Sequence, residues 1–177
     1  NGIIENYQAL KTQLQQAGYL FYSDTDSEVI AHLLHQIGQT TDNTLTQVRQ
    51  LSHPLKGAFA LGILFTEQPN SLFALRKGSP LIIGSGIDEN FIASDPTALL
   101  PVTPNHIFLE EGDIAHITTS DIFIYDEQNV TVDRKVFKSN EQASSVSKGH
   151  YRHFMLKEIY EQAETTAATL ATHIEDK

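Results

Sequence analysis

The chain has 177 residues, of which 40% are hydrophobic and 19% charged, and its 22 acidic and 12 basic residues give a formal net charge of −10. These proportions are ordinary for a soluble globular domain with its own core. No apolar run approaches the roughly 20 residues of a membrane span, and no cluster of Lys and Arg suits a nucleic acid. We therefore expect neither a membrane nor a nucleic-acid partner. Because the chain has no cysteine, it can form no disulfide, thiolate metal site or cysteine nucleophile.

Three helices are predicted in the first third of the chain, where apolar residues recur at the spacing of one helix face. They cover residues 4–17, 29–37 and 45–51. Gly18 and Gly38 are predicted to end the first two helices. The segment Thr25-Asp26-Ser27-Glu28 predicts a capping box, in which the Thr hydroxyl and the Glu carboxylate accept from amides at the helix start. Thr44 is the predicted cap of the third helix.

Strands are predicted for most of the remainder. The nearly continuous apolar run 57–65 suits a strand buried on both faces. Further strands are predicted at residues 72–75, 81–84, 91–94, 107–109, 113–117, 122–125 and 130–136. Gly84-Ser85-Gly86 lacks the third glycine of a dinucleotide loop and predicts a turn after a strand. Asp95-Pro96 predicts a cap and a short helix through Leu100.

The end of the chain changes character again. Residues 138–149 are polar and predict an exposed loop, and residues 150–177 predict a helix in two parts. Helices followed by many strands, without regular alternation, predict a layered α+β fold.

The residue patterns themselves predict no cofactor and no metal. Neither histidine pair, His32 with His35 or His150 with His153, has the further ligands that a zinc site needs. The cluster Glu110-Glu111-Gly112-Asp113 could supply paired carboxylates for glycoside chemistry, but three acids at a turn are predicted to be solvated. Taken alone, these residues leave a soluble α+β domain of unknown function.

Two segments near the start carry a resemblance to a known family. Asn1-Gly2-Ile3-Ile4-Glu5-Asn6-Tyr7 and Thr25-Asp26-Ser27-Glu28-Val29-Ile30-Ala31-His32 together resemble the glutaminase domain of the glucosamine-6-phosphate synthase family (isomerizing glutamine–fructose-6-phosphate aminotransferases), which are class II amidotransferases. The likeness continues through residues 57–60, 77–81, 89–95, 98–103, 108–115 and 151–162. It weakens at Ala163, where the family usually has proline.

The resemblance implies an N-terminal-nucleophile hydrolase fold, an αββα sandwich that would be incomplete here because N-terminal strands are missing. Residues 1–149 would form a partial glutaminase domain, and residues 150–177 a linker helix toward a missing sugar isomerase domain. In the family, an N-terminal cysteine attacks the glutamine side-chain amide, and the released ammonia aminates fructose 6-phosphate to give glucosamine 6-phosphate. The resemblance thus implies glutamine and fructose 6-phosphate as substrates, no cofactor and a homo-oligomeric full-length enzyme. The absence of cysteine together with the absence of a signal-peptide pattern favours a cytoplasmic location.

Three site residues follow from the resemblance. Asn1 and Gly2 match the oxyanion hole, in which preorganised N–H donors stabilise the negatively charged intermediate. Asp26 matches the carboxylate that binds the α-amino group of glutamine, whereas Glu28 is assigned to the capping box. Because the catalytic cysteine and the segment that grips the glutamine carboxylate are absent, the chain alone is expected to hydrolyse no glutamine.

Two other interpretations remain open. The chain could belong to another class II amidotransferase, of the purine or asparagine pathway. It could also be a non-catalytic binding module of the same fold, in which the absence of cysteine reflects function.

Overall fold

A computed structural model of the chain describes residues 1–139, 149 and 151–173, without the side chains of residues 168, 172 and 173. The chain divides into two compact units, Asn1–Asn140 and Glu141–Lys177. The predicted loop at 138–149 lies almost wholly outside the described residues. The assignment of residues 1–149 and 150–177 to a glutaminase domain and a linker therefore stays a prediction.

Helices α1, α2 and α3 confirm the three predicted in the first third of the chain. They span Tyr7–Gln16, Glu28–Gly38 and Thr44–Ser52. The cap of α3 differs from the prediction, because Asn43 Oδ1 accepts from the Thr46 backbone N–H at 2.8 Å. Thr44 is instead the first helical residue, so the cap lies one residue earlier than expected.

The predicted capping box is wrong. Helix α2 begins at Glu28, and its N-cap Ser27 makes no side-chain capping bond. The Glu28 carboxylate turns back and accepts from the backbone N–H groups of Tyr22 and Ser23, both at 2.8 Å, and from the Ser23 hydroxyl at 2.7 Å. A box would need the helix to begin at residue 26, so that Glu28 became its third residue. In the fold, Glu28 instead fixes the loop that precedes α2.

Eight strands form two antiparallel sheets. Sheet A has the order β1-β2-β6-β7 and sheet B the order β4-β3-β5-β8. The strands are β1 Phe59–Leu64, β2 Leu72–Lys77, β3 Ile82–Ser85, β4 Asn90–Ala93, β5 Asn105–Phe108, β6 Ile114–Ile117, β7 Ile122–Tyr125 and β8 Val136–Lys138. After β3, Gly86 N–H donates to Glu89 O at 2.9 Å, which confirms the predicted turn. Asp95 caps a single 3₁₀ turn, Pro96–Ala98, shorter than the predicted helix.

The predicted strand at residues 130–136 is wrong. Only Val136 belongs to a strand, while Thr131 makes an isolated bridge to Tyr125 of sheet A. A turn closes this region, because Asp126 Oδ1 accepts from Gln128 N–H and Val130 N–H. The chain then crosses from sheet A to sheet B, so the alternating valines do not share one sheet face.

The core lies in two layers, which confirms the α+β sandwich. Between α1–α3 and sheet A pack apolar residues that include Phe59 and Ile63 of β1. Ala60, from the opposite face of β1, joins the layer between the two sheets. Strand β1 is therefore buried on both faces only at its start, because Gly62 and Leu64 are exposed on the face that carries Ala60. The prediction of a strand buried on both faces holds for Phe59 and Ala60 and is wrong for the end of the strand. A second helical layer stays a prediction.

The acidic cluster at residues 110–113 is not simply solvated. Asp113 is fully buried, accepts from Glu110 N–H at 2.7 Å and binds Arg134 through two hydrogen bonds of 2.8 and 2.9 Å. The bond to Asp113 raises the pKa of Arg134. Glu111 accepts from Gly78 N–H at 2.9 Å. These carboxylates are committed to structure, and the prediction of a solvated cluster is wrong for Asp113.

The second unit contains one described helix, α4, at Phe154–His173, where two helical parts were predicted. Within residues 1–139, 149 and 151–173, no helix is both long and apolar enough to cross a bilayer. In the same residues, no three His, Asp or Glu side chains are grouped so as to hold a metal ion.

Candidate functional site

The first five residues lie antiparallel to residues 56–60 and extend the outer edge of sheet A beyond β1. Four backbone hydrogen bonds of 2.8–3.0 Å join the two segments. They are Asn1 N to Ala60 O, Ala60 N to Asn1 O, Ile3 N to Ala58 O and Glu5 N to Lys56 O. The start of the described chain is therefore fixed by the sheet, although ends are often poorly ordered.

The register of this pairing leaves two N–H groups on the opposite edge. Ile3 and Glu5 direct their N–H groups at residues 56–60, so the N–H groups of Gly2 and Ile4 point away from that partner. Ile4 N–H donates to Asp26 Oδ2 at 2.7 Å. Gly2 N–H makes no hydrogen bond with any residue that the structure describes. One backbone donor is thus open and its neighbour is bound to a carboxylate.

Only glycine fits at position 2. Its φ of +96° lies in a region that side-chain-bearing residues rarely adopt. A Cβ there would stand 2.0 Å from Ala58 O and 2.7 Å from Phe59 Cα. Glycine therefore permits both the backbone conformation and the close approach to β1.

Asn1 directly precedes this open donor in the chain. Asn1 is exposed, and its side-chain amide bonds to none of the described residues. Its backbone nitrogen donates to Ala60 O at 3.0 Å. Asn1 and Gly2 thus present two adjacent uncommitted donors, one from a side-chain amide and one from the backbone.

Asp26 is half-buried and uses only one of its two carboxylate oxygens. Oδ2 accepts from Ile4 N–H, while Oδ1 accepts no hydrogen bond from the residues described. Among those residues Asp26 also forms no ion pair. An ionised carboxylate in this position favours a cationic partner, because its charge is otherwise balanced only by a backbone dipole.

Glu28 holds the loop that carries Asp26. The N–H of Tyr22, followed by the bonds from Ser23, lowers the pKa of Glu28 from 4.5 to about 2. His32 Nε2 lies 3.5 Å from Glu28 Oε1, and the His32 ring packs edge-on against Phe21 with ring centroids 4.5 Å apart. Glu28 is therefore ionised near neutral pH and anchors residues 22–28 firmly.

Asn6 is a structural residue that sequence reasoning missed. Its side-chain Nδ2 donates to Pro54 O at 2.8 Å, and its Oδ1 accepts from Lys56 N–H at 2.9 Å. These bonds fasten the start of α1 to the segment before β1. The resemblance includes Asn6 in its first motif, but local spacing assigned it no partner.

The structure brings all three predicted site residues to one edge of sheet A. Gly2 and Ile4 are two residues apart, so their N–H groups lie at most about 7 Å apart along the edge. Asn1 and Gly2 can donate to a carbonyl oxygen at one end, and Asp26 can bind a cation near the other. The edge can polarise a carbonyl group, but a chain without cysteine offers no thiolate to attack it.

Comparison with known proteins gives consistent family relationships. The glutamine amidotransferase domain family matches residues 1–101. Proteins named glutamine–fructose-6-phosphate aminotransferase (isomerizing) are 52% identical over 97% of the chain in Acinetobacter baylyi and 49% identical over 98% in Legionella pneumophila. The chain spans 28% and 29% of their respective lengths.

A solved structure supports the same fold. The chain resembles the glutamine phosphoribosylpyrophosphate amidotransferase of B. subtilis, solved with ADP and GMP. The TM-score is 0.57 and the sequence identity 26%, over 80% of this chain and 29% of that one.

Proposed function

The chain belongs to the glutamine amidotransferase domain family, and on this premise we propose that it forms the amide-binding side of a glutaminase site. Asn1 and Gly2 donate to the oxygen of the glutamine side-chain amide, and Asp26 binds the α-ammonium group. One observation carries the proposal: the open Gly2 N–H and the Asp26 carboxylate lie along one edge.

The dimensions of glutamine suit this edge. Five bonds separate its α-nitrogen from its side-chain oxygen, a span of roughly 6 Å when extended. The two N–H groups that define the edge are at most about 7 Å apart. Extended glutamine can therefore reach toward Gly2 with its amide oxygen while its ammonium group approaches Asp26.

The same donors also suit the reaction. When a nucleophile attacks the amide carbon, negative charge develops on the oxygen that Asn1 and Gly2 would bind. Preorganised donors stabilise that charge, and losing one typically costs about 3 kcal/mol of barrier lowering. These 177 residues contain no cysteine, so they supply no cysteine nucleophile for this attack.

We propose further that this site serves a glutamine–fructose-6-phosphate aminotransferase, in which ammonia released from glutamine aminates fructose 6-phosphate. Relatives that are 47–52% identical carry that name, whereas the similar glutamine phosphoribosylpyrophosphate amidotransferase structure is 26% identical. A cytoplasmic location and a homo-oligomeric assembly stay predictions.

Binding of ligands to the 177-residue chain tests the site. We expect L-glutamine to shift the backbone amide signals of Gly2 and Ile4 saturably in NMR spectra, a method that detects weak binding. N-acetyl-L-glutamine, which lacks the ammonium group, and L-norvaline, which lacks the amide, are the matched ligands and should each bind less tightly. Absence of any shift with L-glutamine would refute the proposed site.

Glutamine hydrolysis gives an independent test. The purified chain should release no glutamate above the buffer blank, because donors and a substrate anchor without a nucleophile do not cleave an amide. Turnover that co-purifies with the chain would contradict this expectation and would require a nucleophile other than cysteine.

A further inference from the structure

We propose that Asp26 is also a positioning residue for the Gly2 donor, so that one carboxylate binds the substrate and holds the oxyanion segment together. The substrate half of this inference rests on the proposed function. The positioning half rests on the contact between Asp26 Oδ2 and Ile4 N–H alone.

The contact is well placed to hold the segment. Its length of 2.7 Å suits a charge-assisted hydrogen bond. Ile4 is only 2% exposed, so its N–H has little access to water, and a buried donor without a partner is unfavourable. Removing the Asp26 acceptor should therefore loosen the segment rather than simply exchange one acceptor for another.

Asp26 supplies the outer-edge support beside Gly2. On the inner edge, Ala60 N–H donates to Asn1 O at 2.8 Å and Ile3 N–H donates to Ala58 O at 2.9 Å. The first of these bonds holds the peptide plane that carries the Gly2 N–H, because Asn1 C=O and Gly2 N–H belong to one planar unit. On the outer edge, Asp26 holds Ile4 N–H and so restrains the segment on the far side of Gly2.

The two oxygens of the Asp26 carboxylate have different roles. Oδ2 is occupied by Ile4 N–H, whereas Oδ1 is open among the residues described. A ligand ammonium group at Oδ1 restrains the carboxylate and so keeps Oδ2 in place to accept from Ile4 N–H. By thermodynamic linkage, binding of an α-amino acid and ordering of the oxyanion segment should favour each other. The site should therefore select ligands with a free α-ammonium group over N-acylated ones.

Two substitutions separate the functions. In Asp26→Asn, the amide oxygen can still accept from Ile4 N–H, but the negative charge for the ammonium group is lost. In Asp26→Ala, both are lost. Asp24→Asn is the matched control, because it removes a neighbouring acid of the same loop that makes no hydrogen bond to the described residues.

Amide hydrogen exchange at Ile4 measures how firmly Asp26 holds the segment, and titration with L-glutamine measures ligand binding. We expect Asp26→Asn to lose glutamine binding while the Ile4 exchange rate stays within about threefold of wild type, and Asp26→Ala to raise that rate by about tenfold or more. Asp26→Ala should also shift the Gly2 signal, and Asp24→Asn should change none of these values. Unchanged amides in α1 and α2 verify that each variant is folded.

The outcomes distinguish the two proposals. Unaltered Ile4 exchange in folded Asp26→Ala would overturn the positioning role, even if wild type binds glutamine. Failure of wild type to bind glutamine, together with fast Ile4 exchange in Asp26→Ala, would overturn the substrate role and leave the positioning role standing.

Discussion

Asp26 and Asp113 bind the backbone in the same way but differ in what their remaining oxygen can do. Each accepts a backbone N–H at 2.7 Å, from Ile4 and Glu110 respectively. Asp113 is fully buried, and its carboxylate also accepts two hydrogen bonds from Arg134. Asp26 is half-buried, and among the described residues one of its oxygens has no hydrogen-bond donor or cation beside it.

The difference separates a structural carboxylate from one that can receive a ligand. A buried carboxylate must be saturated by its own protein, because an uncompensated charge in the interior is costly. A carboxylate at the edge of a sheet can leave part of its capacity unsatisfied, because water or a ligand completes it. Loss of Asp113 should thus affect folding, and loss of Asp26 should affect ligand binding.

The largest effect is expected for Asp113→Ala. It leaves Arg134 without its main partner, and breaking a buried pair in this way typically costs 3–5 kcal/mol. We expect about 3 kcal/mol of lost unfolding free energy in urea denaturation, since Arg134 retains some solvent contact. Glu110→Gln is the control, because Glu110 pairs with the same arginine at 2.8 Å but is 66% exposed, and it should cost about 1 kcal/mol or less. Equal losses of unfolding free energy in the two variants would contradict the distinction between a buried and an exposed carboxylate.

A smaller effect is expected for Gly2→Ala, with Gly18→Ala as the matched control. Both glycines have a φ near +95°, at +96° and +93°, but a Cβ at Gly18 meets no atom within 4 Å. The control should cost about 1 kcal/mol for its conformation alone, and Gly2→Ala about 2 kcal/mol or more, because Ala58 O blocks the Cβ. Denaturation midpoints measure the costs, and faster exchange at Ile3 in Gly2→Ala alone would identify the released segment.

The smallest effect concerns pH. The lowered pKa of Glu28 means that its contribution to stability is complete above its ordinary value of 4.5 and is lost as pH falls toward about 2. Wild type should therefore lose more stability than Glu28→Gln when urea midpoints at pH 5 and pH 2.5 are compared. The contribution of Asp95, whose pKa is also lowered, is common to both proteins and cancels. Equal losses of stability in wild type and Glu28→Gln would show that the charge of Glu28 does not stabilise the loop that carries Asp26.

Periodic and apolar patterns predicted the elements whose packing is repetitive. The three helix faces and most of the strands follow directly from side-chain spacing, whereas the arrangement in two sheets was implied by the family resemblance. The strand at 130–136 failed because alternation does not reveal that the chain leaves one sheet for the other. The capping-box prediction failed because the Glu28 carboxylate accepts from the backbone N–H groups of Tyr22 and Ser23. Only the folded loop brings these groups to Glu28.

The site required more than local patterns. Asn1, Gly2 and Asp26 were assigned by resemblance, and their common edge depends on pairing between residues more than 50 positions apart. Burial of Asp113 depends on Arg134, 21 residues away, which no local signal links to it. Charge and spacing describe a residue's neighbours in sequence, whereas these roles arise from neighbours in space.

The pairing of residues 1–5 with β1 has a consequence for association between chains. An outermost segment of a sheet normally offers its outward N–H groups to a strand from another molecule, which promotes aggregation. Here Asp26 accepts from the Ile4 N–H, so an incoming strand would have to break this charge-assisted hydrogen bond before it could pair there. The contact between Asp26 and Ile4, which orders the edge for an α-amino acid, therefore also hinders the addition of a further strand to the sheet.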